Sequence, residues 1–262
     1  MPTLIQVMLE VARTMGLVYE GTATGGSTTS LIDTGLEVTA DHYQNGTLWI
    51  LSGDNSGQCV KVNTHDGNTV TFATMSNAIV AGVTYGLATA DYPKYLLKQA
   101  VLDTLRYEET LMKNDTLTVI EDTEEYTLPS GVENVYTVQI AKNSTEPYSW
   151  AEHYYWHEYD GKLIFSSGRY PTQEDRIIRL WYLGSHGEIT ESGSIEPTIS
   201  MRWLIWKSIE SLYRKKYVYM VKNAPEQIEL LNEAKENVQY ALSMAEKYDI
   251  KIGNPQPRLA NY

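Results

Sequence analysis

The chain's 262 residues suffice for one large domain or two small ones, and with 42% hydrophobic residues it can bury a real core. A formal net charge of -12 argues against a nucleic-acid grip driven by phosphate neutralisation. The single cysteine, Cys59, rules out an intrachain disulfide and disfavours a cysteine-based metal site.

Pro2 and Thr3 open a helix predicted over residues 2–16. Leu4, Val7, Met8 and Val11 recur along it at helical spacing, and Gly16 stops it. This opening stretch is amphipathic and lacks a basic leader, so no signal peptide is expected, and no apolar run is long enough to span a membrane. From Val18 the composition shifts. EGTATGGSTTSLIDTGL suits short strands and turns, and its glycines neither precede a Lys-Ser/Thr pair nor open a helix, so it is not a phosphate loop. TLWILSG at 47–53 reads as a strand. CVKVN and TVTFAT flank His65, Asp66, Gly67 and Asn68, and an Asp-Gly pair between such runs predicts a hairpin. About five short strands over residues 17–90 predict a small barrel-like or sandwich module. Cys59 reads as a plain strand residue with no nearby base.

Pro93 opens a second helix, predicted to run to 113 on Leu97, Val101, Thr104, Leu105, Glu108 and Leu111, with Asn114 at its end. A β-hairpin block over 114–190 follows, built from TLTVIED, EEYTLP, NVYTVQIA, a hairpin turning at Asp160-Gly161, and RIIRLWYLG. Helix resumes over 196–220 after Glu196-Pro197, with a stripe of Ile199, Trp203, Trp206, Ile209, Tyr213 and Tyr217. Pro225 leads into a helix over 225–247 whose stripe is Ile228, Leu231, Ala234, Val238, Ala241, Leu242 and Ala245. The short link at Asn223-Ala224 predicts that the two pair antiparallel. The end, KIGNPQPRLANY, favours extended chain because of its prolines.

The excess acid is uneven. Residues 17–90 hold 6 acids against one Lys, and residues 91–190 hold 17 acids against 9 bases, whereas residues 191–247 balance. The charge therefore belongs to the β-rich blocks and the helix joining them, and an acidic wall repels passing DNA.

Chemistry is sparse. No HExxH, GxSxG or calcium-loop pattern appears, so no cofactor, no metal and no enzymatic activity are expected. His153 and His157 would share an ion on a helix. On the strand expected there they lie roughly 13 Å apart and cannot. His186 sits in a loop and suits local hydrogen bonding. Glu121, Asp122, Glu124 and Glu125 could supply paired carboxylates for glycoside hydrolysis, but they crowd one turn instead of facing each other across a cleft. A solvated hairpin tip, or an acidic rim around a channel, fits them better. The 20 Tyr and 6 Trp, against 2 Phe, suit wet interfaces as well as strands. The Trp203, Trp206, Tyr213 and Tyr217 stripe is expected to pack a helical core or an oligomer.

YTLPSGVENVYTVQI, HEYDGKLIFSSG and DRIIRLWYLGSHGEI, followed by two long helices, resemble head–tail connector (adaptor) proteins of tailed bacteriophages. The stretch from EGTATGGSTTSLID to NGTLWILSGDNSGQCVKVNTHDGNTVTFAT is similar to β modules of phage structural proteins. The resemblance covers most of the chain and lies in the order helix, β module, helix, hairpins, helix pair. It implies an α+β fold. A helical-bundle core of about four helices (1–16, 91–113 and 191–248) would carry the inserted barrel-like module (17–90), the hairpin block (114–190) and an extended C-terminal arm (249–262). It implies a homo-oligomeric ring, usually dodecameric, beneath the portal protein. Such a ring meets a downstream tail or nozzle protein and also offers a place for a tail fibre. DNA passes through its lumen without specific binding, no membrane is involved, and the ring is assembled in the host bacterial cytoplasm for the virion's head–tail junction. Pro255, Pro257, Arg258, Leu259 and Tyr262 would dock the arm on the portal, and Glu121, Asp122, Glu124 and Glu125 would line the lumen or its rim. The alternative is a tail or fibre protein whose β module binds carbohydrate or receptor near Trp49 and Tyr43.

Overall fold

The computed structural model describes residues 2–249, apart from 37, 108, 185, 187, 188 and 196–198. The fold is α+β, with four helices and three antiparallel sheets among the described residues. Contacts divide it into two units. The first takes residues 1–104, 188–195 and 201–249, and the second centres on residues 105–187.

The first unit begins with α1 (Leu4–Thr14). Thr3 and Gln6 form a reciprocal cap: the Gln6 amide donates to Thr3 Oγ1 at 3.3 Å and the Thr3 amide to Gln6 Oε1 at 2.8 Å. Leu4, Val7, Met8, Leu9, Val11 and Ala12 are buried, and Gly16 ends the helix at φ +70°. Next come β1 (Tyr19–Thr22), β2 (Gly25–Gly26), β3 (Ser30–Ile32), β4 (Thr47–Ile50), β5 (Cys59–Asp66), β6 (Thr69–Phe72) and β7 (Thr84–Ala88). Their order is β1-β7-β4-β5-β6-β3-β2. β1 and β2 belong to one run of chain, so the two ends of the strand order are supplied by almost adjacent residues. The sheet therefore curls into a half-barrel. Ala23 ties the run to the far side, donating to Val83 O and accepting from Gly82 N, both at 2.8 Å.

Leu31, Leu48, Ile50, Val62, Val70, Phe72, Tyr85 and Leu87 fill the half-barrel. β4 is buried at all four positions because both its faces are covered. Leu48 and Ile50 join the interior cluster. On the other face Trp49 stands opposite Gly86 in the β4–β7 ladder, and the bare backbone of Gly86 is approached by Val18, Leu9 of α1 and Trp49 itself. The hairpin expected at Asp66-Gly67 is present, with Gly67 at φ +56°.

Helix α2 (Lys94–Tyr107) stops six residues short of the expected boundary at 113. Thr110–Thr118 is instead β8, antiparallel to β14 (Ile177–Gly184), with Leu111 opposite Leu183 and Met112 opposite Tyr182. Leu105 and Leu111 keep helical spacing, but Thr110, Thr116 and Thr118 favour strand, and the ladder with β14 outweighs continued helix. The second unit also holds β9 (Glu125–Thr127), β10 (Val135–Ala141), β11 (Trp150–His153), β12 (Trp156–Tyr159) and β13 (Lys162–Phe165). One sheet runs β11-β10-β14-β8 and the other β12-β13-β9. Val119, Tyr126, Val138, Leu163, Phe165, Ile178 and Leu180 form its core. Asp160 (φ +49°) and Gly161 (φ +68°) make the two-residue hairpin turn read from the sequence. Arg179 forks onto Asp115 through two 2.7 Å bonds, and its guanidinium lies 3.7 Å from the centre of the Trp150 ring.

Back in the first unit, α3 (Met201–Asn223) and α4 (Ile228–Tyr248) pair along their length. Arg202 lies over Tyr248 at 5.4 Å and Trp206 meets Tyr240 edge-on at 5.6 Å, whereas Met220 faces Leu230. Early α3 thus meets late α4, the antiparallel arrangement expected from the short link. Ala234, Ala241 and Ala245 are buried, and their small side chains permit close approach. Helix α1 also packs on α3.

Candidate functional site

The helix-pair residues expected to pack are split by the structure. Trp203 is buried with Leu204, Ile209 and Leu212, whereas Trp206, Tyr213 and Tyr217 are half-buried. Ile228, expected in the inner stripe of α4, is 66% exposed. It lies at the turn between the helices, where Val218, Tyr219, Val221 and Leu230 are exposed too. The free end of the α3–α4 hairpin therefore exposes several large apolar side chains, interspersed with the exposed Lys216, Lys222, Glu226 and Glu229.

A cleft of about 550 Å³ opens beside α2. Proximity to the N-terminus places Glu191 there: Ile195 N–H donates to Pro2 O at 2.9 Å and Thr3 bridges to Ser194, fixing the segment that carries it. Lys94 Nζ donates to Glu191 Oε2 and to Cys59 O, both at 2.7 Å, and Lys98 Nζ donates to Glu191 Oε1 at 3.1 Å. Burial pushes the Glu191 carboxyl up, but these two lysines outweigh burial and hold it below its usual range. Burial carries the Cys59 thiol up to about 12, so it is a neutral core group, as its strand setting suggested. Lys61 and the exposed Tyr95 line the same cleft. No spacing pattern announces this cleft, because its cations come from β5 and α2 and its carboxylate from a distant loop.

The acidic run occupies the turn that leads into β9, whose first residue is Glu125. Asp122 takes φ +55°, and the Tyr126 hydroxyl pins the turn by accepting from Ile120 N (3.0 Å) and donating to Ile120 O (3.3 Å). Lys162 pairs with Glu125 at 2.8 Å, and the Tyr170 hydroxyl donates to Asp122 at 3.3 Å. The four acids lie within one exposed stretch of chain and do not face one another across a cleft. That placement suits charge presentation better than the opposed carboxylates of glycoside hydrolysis.

His153 and His157 do not share the single strand expected for them. His153 is on β11 and His157 on β12, in different sheets, because the chain breaks at Tyr154-Tyr155 to change sheet. His153 packs edge-on to Phe165 at 4.9 Å. The loop residue His186 donates its backbone N–H to Leu105 O at 2.9 Å. No group of three metal-ligating side chains occurs among the described residues. His65 is buried against Tyr43, ring centres 5.3 Å apart.

Burial lowers the pKa of both His65 and His153 below the ordinary 6.5. Each is neutral when folded and takes a proton more readily when unfolded. Their contribution to stability is complete above pH 6.5 and is lost as pH falls from there through the folded-state pKa. Denaturant midpoints at pH 7.5 and 5.5 are expected to differ, the lower pH being less stable. His65→Gln with His153→Gln should flatten that difference; an unchanged difference counts against the two imidazoles.

Trp49 and Tyr43, the rings expected to contact sugar, are 1% and 5% exposed. Trp49 lies between β4 and α1 and Tyr43 belongs to the half-barrel core, so neither forms a surface platform. Pro255, Pro257, Arg258, Leu259 and Tyr262, the expected docking arm, lie outside the described residues, as do Glu108 and the helix opening at Glu196-Pro197. No helix among the described residues is long and apolar enough to cross a membrane. Neither protein-family models nor curated proteins give a match to this sequence.

Proposed function

We propose that this chain is a non-enzymatic virion structural protein, the head-to-tail adaptor of a tailed bacteriophage. In this reading copies form a ring, dodecameric as the family resemblance implies, between the portal and a downstream tail or nozzle protein. The helices make the ring body as a bundle, the half-barrel is the barrel-like module of the family, and residues 249–262 are an extended arm that docks on the portal. The acidic blocks line or rim a lumen through which DNA passes without specific binding.

The observation that carries the reading is the group of exposed apolar side chains at the free end of the α3–α4 hairpin. Tyr219 and Ile228 stand exposed there beside Val218, Val221 and Leu230. Large apolar side chains left exposed together at one end of a helix pair suit a surface that a partner covers. The order of elements agrees with the same reading: helix, β module, helix, β block and helix pair.

The test is the mass of the purified protein in solution, alone and mixed with a portal. A ring, or a portal complex lost on deleting residues 249–262, supports the adaptor and places the contact in the arm. A monomer that ignores the portal at every concentration removes the reading.

A further inference from the structure

Lys61 is the one base in residues 17–90, and it is exposed on β5 at the cleft beside α2. It has no ion-pair partner among the described residues. Next to it Lys94 and Lys98 share a single carboxylate, Glu191. The cleft thus carries uncompensated positive charge on a chain of net charge -12. Its wall is apolar: Ala90, Pro93 and Tyr95, the last 72% exposed. A ligand that fits must bring carboxylates and an apolar group together.

The acidic turn of the second unit has that composition. Ile120 is 55% exposed, directly before Glu121. Glu125 is occupied by Lys162, whereas Glu121 and Glu124 carry no cation among the described residues. The turn is also held in shape, since the Tyr126 hydroxyl grips both the N–H and the C=O of Ile120. A pre-shaped segment loses less freedom on docking than a loose one.

We infer that the cleft receives the turn Ile120–Glu124 of a second copy of this chain. Ile120 packs against Pro93 and Tyr95, and Glu121 and Glu124 meet Lys61 and the excess charge of Lys94 and Lys98. Each copy offers one cleft and one turn, two different surfaces. Such a contact is head-to-tail, and head-to-tail contacts generate closed rings when the rotation closes. The inference rests on the adaptor reading and specifies its copy-to-copy contact. Because the charges are partly exposed, they steer and orient the contact more than they tighten it, and the contact weakens with salt.

The test uses the full chain and its mass in solution across concentration. Lys61→Glu and Glu121→Lys are both surface changes, and circular dichroism checks that each variant folds. Each alone is expected to raise the concentration needed for assembly by about tenfold or more. The double variant, which restores opposite signs, is expected to recover most of the loss. Tyr95→Ala and Ile120→Ala should weaken assembly without changing its salt dependence. A mixture of a Lys61→Glu/Tyr95→Ala chain with an Ile120→Ala/Glu121→Gln chain leaves one working half on each and no restored charge pair at the other contact, so it should stop at a dimer. Rings that form equally well in all these variants overturn the inference and leave the adaptor reading standing. A wild-type chain that stays monomeric yet binds the portal overturns it too, again without touching portal docking.

Discussion

Gly46→Ala is expected to cost about 3 kcal/mol or more of folding stability, one of the largest losses available to a single methyl group here. Gly46 lies just before β4, where the backbone of β7 passes close. A Cβ at Gly46 would sit 2.0 Å from Ala88 O and 2.9 Å from Tyr43 O. Both are backbone atoms, so neither can rotate away. Gly46 also accepts from Val62 N at 3.0 Å and donates to Tyr43 O at 2.9 Å, which fixes it from two sides. Relief requires the Thr47–Ala88 end of the ladder to open. The constraint is close approach, not a left-handed backbone. By contrast Gly57→Ala meets no atom within 4 Å, and its cost comes only from φ +83°. Denaturant unfolding of the two variants should rank Gly46→Ala well below Gly57→Ala. Equal midpoints would mean the approach at Ala88 relaxes freely.

Trp49→Ala should destabilise the first unit by about 3–5 kcal/mol, the usual range for emptying a buried tryptophan site. The ring fills the space between β4 and α1, where Leu9 and Val18 also converge over Gly86. Its removal uncovers the outer face of a strand that is buried on both sides. This result bears on how a glycan experiment is read. Sugar binding that disappears in Trp49→Ala would report unfolding, because the ring does not reach solvent. Trp49→Phe separates the two effects: it should keep the fold with a loss nearer 1 kcal/mol. A Trp49→Ala protein as stable as the wild type would show that α1 does not close over β4.

Much of this fold is legible in the residues, for reasons that can be named. The helix opener Thr3, the Asp160-Gly161 turn and the short link after Asn223 are local signals, and local signals survive in the sequence. Residues 110–113 read as helix because Leu105 and Leu111 satisfy helical spacing, while the strand partners of Leu111 and Met112, Leu183 and Tyr182, are some seventy residues away in the ladder with β14. Trp49 illustrates a different gap. Alternation tells which residues share a face of a strand, but not that a helix covers the second face. The cleft at Lys61 and Glu191 is assembled from three distant stretches, and no spacing rule joins them. The acidic turn was visible as a run of charge. Its rigidity was not, because that depends on where the Tyr126 hydroxyl lands.

The bond from His186 N–H to Leu105 O, at 2.9 Å, has a consequence for how such a chain can change over time. It joins the two ends of the segment that forms most of the second unit, so that segment departs and returns through neighbouring backbone positions. An insert with touching ends can be exchanged for a longer or shorter one without stretching its host, and loop-closure cost grows only logarithmically with length. A lineage that keeps the helices and half-barrel is therefore free to replace everything between Leu105 and His186 as a cassette, matching new neighbours while its own scaffold stays constant.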